Sequence, residues 1–183
     1  MKKILLTLAL ATAFSAQAVE YTQVQTDKST IHFTYKQMGV AVDGQFRKFA
    51  SQITFDPAKP SAAKATFEVE LASVDTGAPE GDQEVAGKPW FNTKAFPTVK
   101  FVSGSVKPLG GNKYEVAGQL SIKGKTQDVV VPATFTPQGN SGVFDGSFTI
   151  RRADFSIGEG SWAKFDIVAN DVLIKFRITA TSK

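Results

Sequence analysis

Residues 114–135 contain the feature that most restricts the fold, a long apolar alternation broken once by a short glycine-containing segment. Apolar side chains recur at alternate positions on both sides of the break: Tyr114, Val116, Leu120, Ile122, Val129, Val131, Ala133 and Phe135. A period of two predicts β-strands, and the break at Gly124–Thr126 predicts a hairpin. A lone hairpin cannot bury a complete apolar face, so other strands must cover it.

The same alternation recurs along the chain, for example around Phe33, Phe67 and Ile174. The pattern breaks once, after Thr76, where Pro79 and the acidic residues behind it predict a short helix that Thr76 caps and Gly87 ends. No strand–helix–strand repeat is present. The sequence therefore predicts an all-β domain of about eight antiparallel strands with one short helix, either a barrel or a two-sheet sandwich.

The first eighteen residues have the pattern of a secretory signal peptide. Two lysines follow Met1, an apolar run covers residues 4–14, and Ala16-Gln17-Ala18 is a small-residue cleavage site. We expect cleavage after Ala18, which leaves residues 19–183 as one exported domain of the bacterial periplasm. The chain has no cysteine, so its core must stabilise it without disulfides.

Composition gives little support to catalysis, metal binding or nucleic-acid binding. With no cysteine and a single histidine, His32 on a polar strand face, the common nucleophile–base pairs are nearly absent. A net charge of +4 is too low to indicate nucleic acid. We expect no enzyme, no cofactor and no metal site. One enzymatic alternative stays open, a secreted carbohydrate-active enzyme that uses Glu68 and Glu70.

Fifteen phenylalanines indicate either a filled β core or an apolar lumen. An eight-stranded barrel is just wide enough for either, so a core-filled interaction or stress module remains the alternative to a lipid carrier. Strand parity predicts the residues that line the lumen: Phe33, Tyr35, Phe67, Val69, Phe101, Val116, Leu120, Val131, Phe135, Phe148, Ile174 and Phe176. The parity is least regular between Val99 and Val106. Gly118 interrupts the lining and is expected to leave free room. Five aromatic residues are expected to close or shape the mouth: Trp90, Phe91, Phe96, Phe155 and Trp162.

Arg152 is the candidate to bind a polar or phosphate head group, because its guanidinium is a forked donor beside an apolar strand end. An ion pair between Arg152 and Asp154, or another acid, is an equal alternative.

Several motifs together resemble the YceI family, and they cover essentially all of residues 19–183. The resemblance rests on Ser29-x-Ile31-x-Phe33, Gly44-x-Phe46-x-x-Phe49, Ser73-Val74-Asp75-Thr76-Gly77, Phe96-Pro97, Tyr114-x-Val116-x-Gly118-x-Leu120-x-Ile122-x-Gly124 and Ile150-x-Arg152-x-Asp154-Phe155. It implies a lipocalin-like antiparallel barrel that binds a polyisoprenoid lipid, of polyprenyl or quinone type, in an exported monomer or homodimer. The segment Gly158-x-Gly160-x-Trp162 is similar to family members found with cytochrome b561-type membrane proteins, which implies such a partner and quinone handling.

Two departures from the family pattern concern the head-group region. Family members commonly carry Arg-Asp-x-His-Leu at the start of the helix, whereas residues 81–85 read Gly-Asp-Gln-Glu-Val. Only Asp82 is shared, so a role for that Arg or His does not transfer. The glycine that usually follows the Asp-Phe pair is Ser156 here.

Overall fold

The computed structural model describes residues 19–182, and the predicted signal peptide lies outside them. Within these residues, eleven strands form a single sheet in which every paired neighbour is antiparallel. Their bounds are β1 Tyr21–Val24, β2 Thr30–Gln37, β3 Val40–Phe46, β4 Phe49–Thr54, β5 Lys64–Glu70, β6 Val74–Asp75, β7 Thr98–Gly110, β8 Lys113–Ile122, β9 Lys125–Gln138, β10 Ser141–Arg151 and β11 Val168–Ser182. The one α-helix in the described part of the chain, α1, is Pro79–Ala86, and short 3-10 turns connect other elements.

The sheet curls until its ends meet, in the order β4-β5-β7-β8-β9-β10-β11-β2-β3-β6, with β1 paired to β11. Tyr21 of β1 and Phe55, just after β4, exchange two backbone hydrogen bonds of 2.8 and 3.1 Å. On the opposite side of the seam, Arg47 N donates to Ser73 O and Glu70 N donates to Lys48 O. The prediction of a lipocalin-like antiparallel barrel with one short helix is confirmed.

The hairpin predicted in residues 114–135 is β8–β9, joined by a two-residue turn at Lys123–Gly124. Both turn residues have positive φ angles, 50° and 73°, as a type I′ turn requires. The turn matches the right-handed twist of the two strands, which stay paired from Ile122↔Lys125 to Lys113↔Thr134. The strong alternation in the sequence therefore corresponds to two strands that pair without a register shift along the whole hairpin.

The uncertain parity between Val99 and Val106 has a structural cause. The β7–β8 register shifts between Ser103 and Ser105, so Gly104 is an extra residue in β7. The bulge changes which parity faces inward, and Phe101 and Val106 both line the interior although they are five positions apart.

The helix begins differently from the prediction. Ala78, not Thr76, is the N-cap residue, and its side chain makes no capping bond. The carboxylate of Asp82 instead reaches back and accepts hydrogen bonds from the backbone N–H (2.7 Å) and hydroxyl (2.8 Å) of Thr76. This contact ties α1 to the end of β6. Within residues 19–182, no helix has the length and the apolar composition that crossing a membrane would require.

Candidate functional site: an apolar cavity along the barrel

The interior of the barrel is hollow over much of its length. The cavity has a volume of about 360 Å³. Its walls are inward-facing residues of all the strands from β2 to β11, with α1 along one side. Since side chains leave this volume empty, the described residues do not form a completely filled core.

Two buried clusters enclose the two ends of the cavity. We call the first the aromatic end, the rings of Tyr21, Phe55, Tyr114, Phe135 and Phe144. The second is the helix end, made by α1, Trp90, Phe155 and the segment 156–168. Half-buried residues such as Val99 and Ile174 contact both clusters and line the cavity between them. A slender apolar molecule thus has a wall of side chains along its whole length.

Rings at the aromatic end pack against one another without a gap. The centroids of Phe55 and Phe135 are 4.8 Å apart, as are those of Phe135 and Phe144, and Phe55 meets Tyr114 edge-on at 5.3 Å. Tilted and edge-to-face arrangements at these distances are favourable for aromatic pairs. Phe135, which we expected on the cavity wall, belongs to this packed cluster and does not line the cavity.

The structure places the other predicted lining residues on the cavity wall, from Phe33 on β2 to Phe176 on β11. These are Phe33, Tyr35, Phe67, Val69, Phe101, Val116, Leu120, Val131, Phe148, Ile174 and Phe176. The predicted lining did not include Phe46, Phe55 and Phe144, which also line the cavity. Phe46 is the last residue of β3, and Phe55 directly follows β4, so both lie where a strand ends.

Of the predicted mouth residues, Trp90, Phe91 and Trp162 line the cavity, whereas Phe96 and Phe155 do not. The ring of Phe96 packs on the outer turn at Gly124, where an added Cβ would lie 3.0 Å from it. Phe155 is buried behind the wall, beside Trp90 and Ile157. Both were placed at the mouth by their aromatic character alone, which does not reveal the direction of a loop side chain.

Gly118 does not leave free room. A Cβ at this position would lie 2.7 Å from two ring atoms of Phe101 and 2.5 Å from Val102 O. The ring of Phe101 therefore lies flat on the strand at Gly118. Three more inward phenylalanines cover glycines in this way, in the pairs Phe33–Gly44, Phe135–Gly142 and Phe176–Gly146. Rings that lie along the wall cover the backbone and project less into the lumen, which helps to keep it hollow.

Arg152 is not a free donor at the cavity, and the alternative ion pair with Asp154 is also wrong. Only 2% of Arg152 is exposed, and Asp154 pairs with Arg151 at 2.9 Å instead. The Arg152 guanidinium donates to six backbone carbonyls at 2.7–3.2 Å, which belong to Ile157, Gly158, Trp162, Lys164, Val168 and Ala169. Burial lowers the pKa of the guanidinium, and the carbonyl oxygens compensate the buried charge.

The Arg152 guanidinium also lies against two aromatic rings, 5.4 Å from the centroid of Trp90 and 5.0 Å from that of Phe165. Gly158 is required at this site, since it has a φ of 78° and a Cβ there would lie 2.9 Å from Arg152 Cζ. Ser156 has a φ of 55°, which explains why the family usually has glycine there.

Further contacts hold the segment 156–168 to the rest of the helix end. The backbone N–H groups of Gly158 and Glu159 both donate to Pro89 O at 2.8 Å. Lys123 Nζ, on a side chain only 7% exposed, donates to Ser156 O at 2.6 Å and pairs with the Glu159 carboxylate at 2.7 Å. The segment is therefore an ordered part of the wall.

Trp90 joins this segment to α1. Its Nε1 donates to the Glu84 carboxylate at 3.2 Å, and its ring centroid lies 5.3 Å from that of Trp162. Glu84 is the one acidic residue on the cavity wall among those the structure describes.

Next to α1, Asp75 anchors the seam of the barrel. Its carboxylate accepts hydrogen bonds from Gln45 Nε2 (2.9 Å), Arg47 and the Gly77 backbone N–H. These contacts lower the pKa of Asp75 to about 2, with the Gln45 hydrogen bond as the largest cause. The group therefore stays ionised over the whole neutral range, and its contacts hold β3 to β6.

Glu68 and Glu70 lie on the outer face of β5, as their parity indicated. Both are exposed, and they pair with Lys100 at 3.1 Å and Lys48 at 4.0 Å, respectively. A glycosidase needs two carboxyl groups that flank a bond inside a cleft. These two acids line no cleft, so the carbohydrate-active alternative loses the residues on which it rested.

Comparison with known proteins agrees with this architecture. The model of the YceI-like domain matches residues 22–180. A UPF0312 protein of Pseudomonas fluorescens is 35% identical over 172 residues, which cover 85% of this chain and 87% of that protein. A UPF0312 protein of Pseudomonas savastanoi pv. phaseolicola is 31% identical over 169 residues, covering 86% and 88%.

Solved structures share the same fold. The crystal structure of Burkholderia cenocepacia BcnA superposes with a TM-score of 0.85 at 43% identity and covers 87% of this chain and all of that one. A polyisoprenoid binding domain from Saccharophagus degradans, implicated in plant cell wall breakdown, superposes with a TM-score of 0.69 at 14% identity, covering 90% and 99%. The family model spans most of the chain, and the chain therefore belongs to the YceI-like domain family.

Proposed function

We propose that this protein binds one long isoprenoid lipid, of polyprenyl or quinone type, in the cavity between its aromatic and helix ends. The observation that carries the proposal is the continuous apolar cavity, whose walls come from ten of the strands in residues 19–182 and hold few polar groups. A long apolar chain gains about 25 cal/mol for each Å² that it removes from water, so such a cavity favours length and apolarity.

The likeness to other proteins supports the proposal without identifying the lipid. The Saccharophagus degradans domain that shares this fold is a polyisoprenoid binding domain. An isoprenoid chain is slender and carries a methyl branch in every unit. The cavity wall is made largely of Phe, Ile and Val side chains, which provide apolar contacts for such a chain.

The direction of the ligand follows from the difference between the ends. The aromatic end is packed with rings, whereas exposed Gln37 and Glu84 line the cavity at the helix end. We propose that the hydrocarbon tail points to the aromatic end and that the head group stays near α1.

We further propose that the protein works in the periplasm, after cleavage of residues 1–18, as a carrier rather than an enzyme. A membrane protein of cytochrome b561 type is the proposed partner, and the resemblance of Gly158-x-Gly160-x-Trp162 supports it. Size-exclusion chromatography with light scattering would show whether the carrier is a monomer or a homodimer.

The test is extraction of the native protein from the bacterial periplasm with organic solvent, followed by mass spectrometry. We expect about one isoprenoid lipid per chain. A matched pair of variants tests the location, because neighbouring residues of β9 face opposite ways: Val131 lines the cavity and Val130 is 56% exposed. Val131→Phe should lower the bound lipid several-fold while Val130→Phe leaves it unchanged. Absence of lipid, together with no uptake of added octaprenyl compounds by the purified protein, would refute the proposal.

A further inference from the structure

The charged groups at the helix end are already paired within the protein. All of the Arg152 N–H groups donate to carbonyl oxygens, and the rings of Trp90 and Phe165 lie against its guanidinium. Lys123 is turned toward Ser156 O and Glu159. Among the described residues that line the cavity, the only cationic side chain besides Arg152 is that of Lys64, the exposed first residue of β5.

An anionic head group at the helix end would therefore meet no free donor with a positive charge. It would lie near the carbonyl oxygens around Arg152 and the carboxylate of Glu84, both of which repel an anion. A charge moved from water into an apolar site without direct hydrogen bonds loses its hydration and gains little in return. The buried charge of Arg152 does not offset this, because the carbonyl oxygens that surround it already compensate its field.

The neutral side-chain donors in this part of the cavity include Gln37 and Tyr35, neither of which bonds through its side chain to a group within residues 19–182. Of these, Gln37 is exposed to water whereas Tyr35 is half-buried. Tyr35 lines the cavity and packs against the same cluster as Trp90 and Val168. Its ring stacks on that of Phe33 at 6.2 Å, and burial alone raises the pKa of its hydroxyl, which bonds to no group within residues 19–182. A hydroxyl in an apolar cavity can donate to an uncharged oxygen of the ligand without the large desolvation cost that a charged oxygen would add.

On the basis of the function proposed above, we infer that the cavity selects isoprenoid lipids with an uncharged, oxygen-bearing head group, and that Tyr35 donates a hydrogen bond to that oxygen. A carbonyl or a hydroxyl meets this requirement. A phosphate or diphosphate does not, although its hydrocarbon chain fits the cavity equally well. Arg152, which the sequence suggested as the ligand of a phosphate, has no N–H group left to donate to one, because backbone carbonyls accept all of them.

The experiment compares four probes by competition against a fluorescent lipid: octaprenol, an octaprenyl-substituted benzoquinone, octaprenyl monophosphate and the hydrocarbon squalene. We expect the two neutral oxygenated lipids to bind the full-length mature protein about 10-fold or more tightly than the phosphate. Tyr35→Phe should weaken the alcohol and the quinone by about 3- to 10-fold and leave squalene unchanged. Tyr114→Phe is the matched control, since Tyr114 also lines the cavity but stands at the aromatic end.

The outcomes separate this inference from the proposed function. If no probe binds, the proposed function fails. If the phosphate binds as tightly as the alcohol, lipid carriage stands and the selection for neutral head groups is refuted. Loss of that phosphate binding in Lys64→Met would then locate the anionic head at the β4–β5 edge. A decrease in Tyr114→Phe but not in Tyr35→Phe would also refute the assignment, because it would place the head at the aromatic end.

Discussion

The aromatic end and the helix end of the barrel are stabilised by different kinds of interaction. At the aromatic end, five rings fill the space, and the backbone closes through two hydrogen bonds between Tyr21 and Phe55. At the helix end, a short helix and an irregular segment are held by a buried guanidinium, a nearly buried lysine and backbone hydrogen bonds. Packing area dominates the first end, whereas directional polar contacts dominate the second.

This difference assigns separate tasks to the two ends. Rings pack tightly but specify little about what lies next to them, so they suit a permanently closed end. Hydrogen bonds from Arg152 fix the path of residues 157–169 and hence the position of Trp162 at the cavity. We infer that stability depends mostly on the aromatic end and ligand access mostly on the helix end.

Removal of a ring from the aromatic end should have the largest effect on stability. Phe135 is 2% exposed and contacts Tyr21, Phe55 and Phe144. Phe135→Ala should lower the free energy of unfolding by about 3–5 kcal/mol, measured by urea denaturation, because it leaves a cavity in a packed cluster. Val130→Ala on the outer face of the same strand should cost less than about 0.5 kcal/mol. A small loss in Phe135→Ala would show that the aromatic end does not dominate stability.

Replacement of Arg152 should have the next largest effect, concentrated at the helix end. Arg152→Met deletes the donors to six carbonyls and should cost about 3 kcal/mol, since buried acceptors lose their partners. Hydrogen exchange should rise in residues 156–168 and stay unchanged in β1. Arg151→Met is the neighbouring control, because the exposed Arg151–Asp154 pair contributes about 0–1 kcal/mol. If Arg152→Met left hydrogen exchange in residues 156–168 as slow as it is without the substitution, the result would contradict the division between the two ends.

A smaller effect is expected from a methyl group on the cavity wall between the ends. Gly118→Ala places a Cβ against the Phe101 ring, so the ring must turn into the lumen at a cost of about 1–3 kcal/mol. Bound lipid should fall together with stability. Gly104→Ala in the β7 bulge is the control, because its Cβ would meet only Ala117 O, at 3.7 Å. Full lipid binding by a stable Gly118→Ala protein would show that the flat Phe101 ring does not keep the lumen open.

Sequence patterns predicted the barrel well because alternation records which side of a strand faces inward. Phe67, Val131 and Phe176 were placed correctly on the inner face by parity alone. Parity does not distinguish a packed end from a hollow middle, and for this reason Phe135 was predicted to line the cavity. The bulge at Gly104 shifted the parity of β7 by one residue, and a bulge leaves only a weak trace in composition.

The role of Arg152 could not be predicted from sequence. Its partners are backbone carbonyls, which every residue possesses, so no residue type between 157 and 169 marks them. Ser156, Gly158 and Gly160 have positive φ angles along the path that brings those carbonyls together, and of these the two glycines are the hint that the sequence carries. The same limitation applies to Phe96 and Phe155, whose directions depend on loop geometry.

Both tryptophans of the chain, Trp90 and Trp162, stand together at the helix end, with ring centroids 5.3 Å apart. All tryptophan fluorescence of the protein therefore originates beside the proposed lipid head group, and the aromatic end contributes none. Two indoles this close also couple their electronic transitions, which gives a near-ultraviolet circular dichroism signal that depends on their mutual angle. The protein thus carries an intrinsic optical reporter for one end of its cavity, which can be read without any attached label.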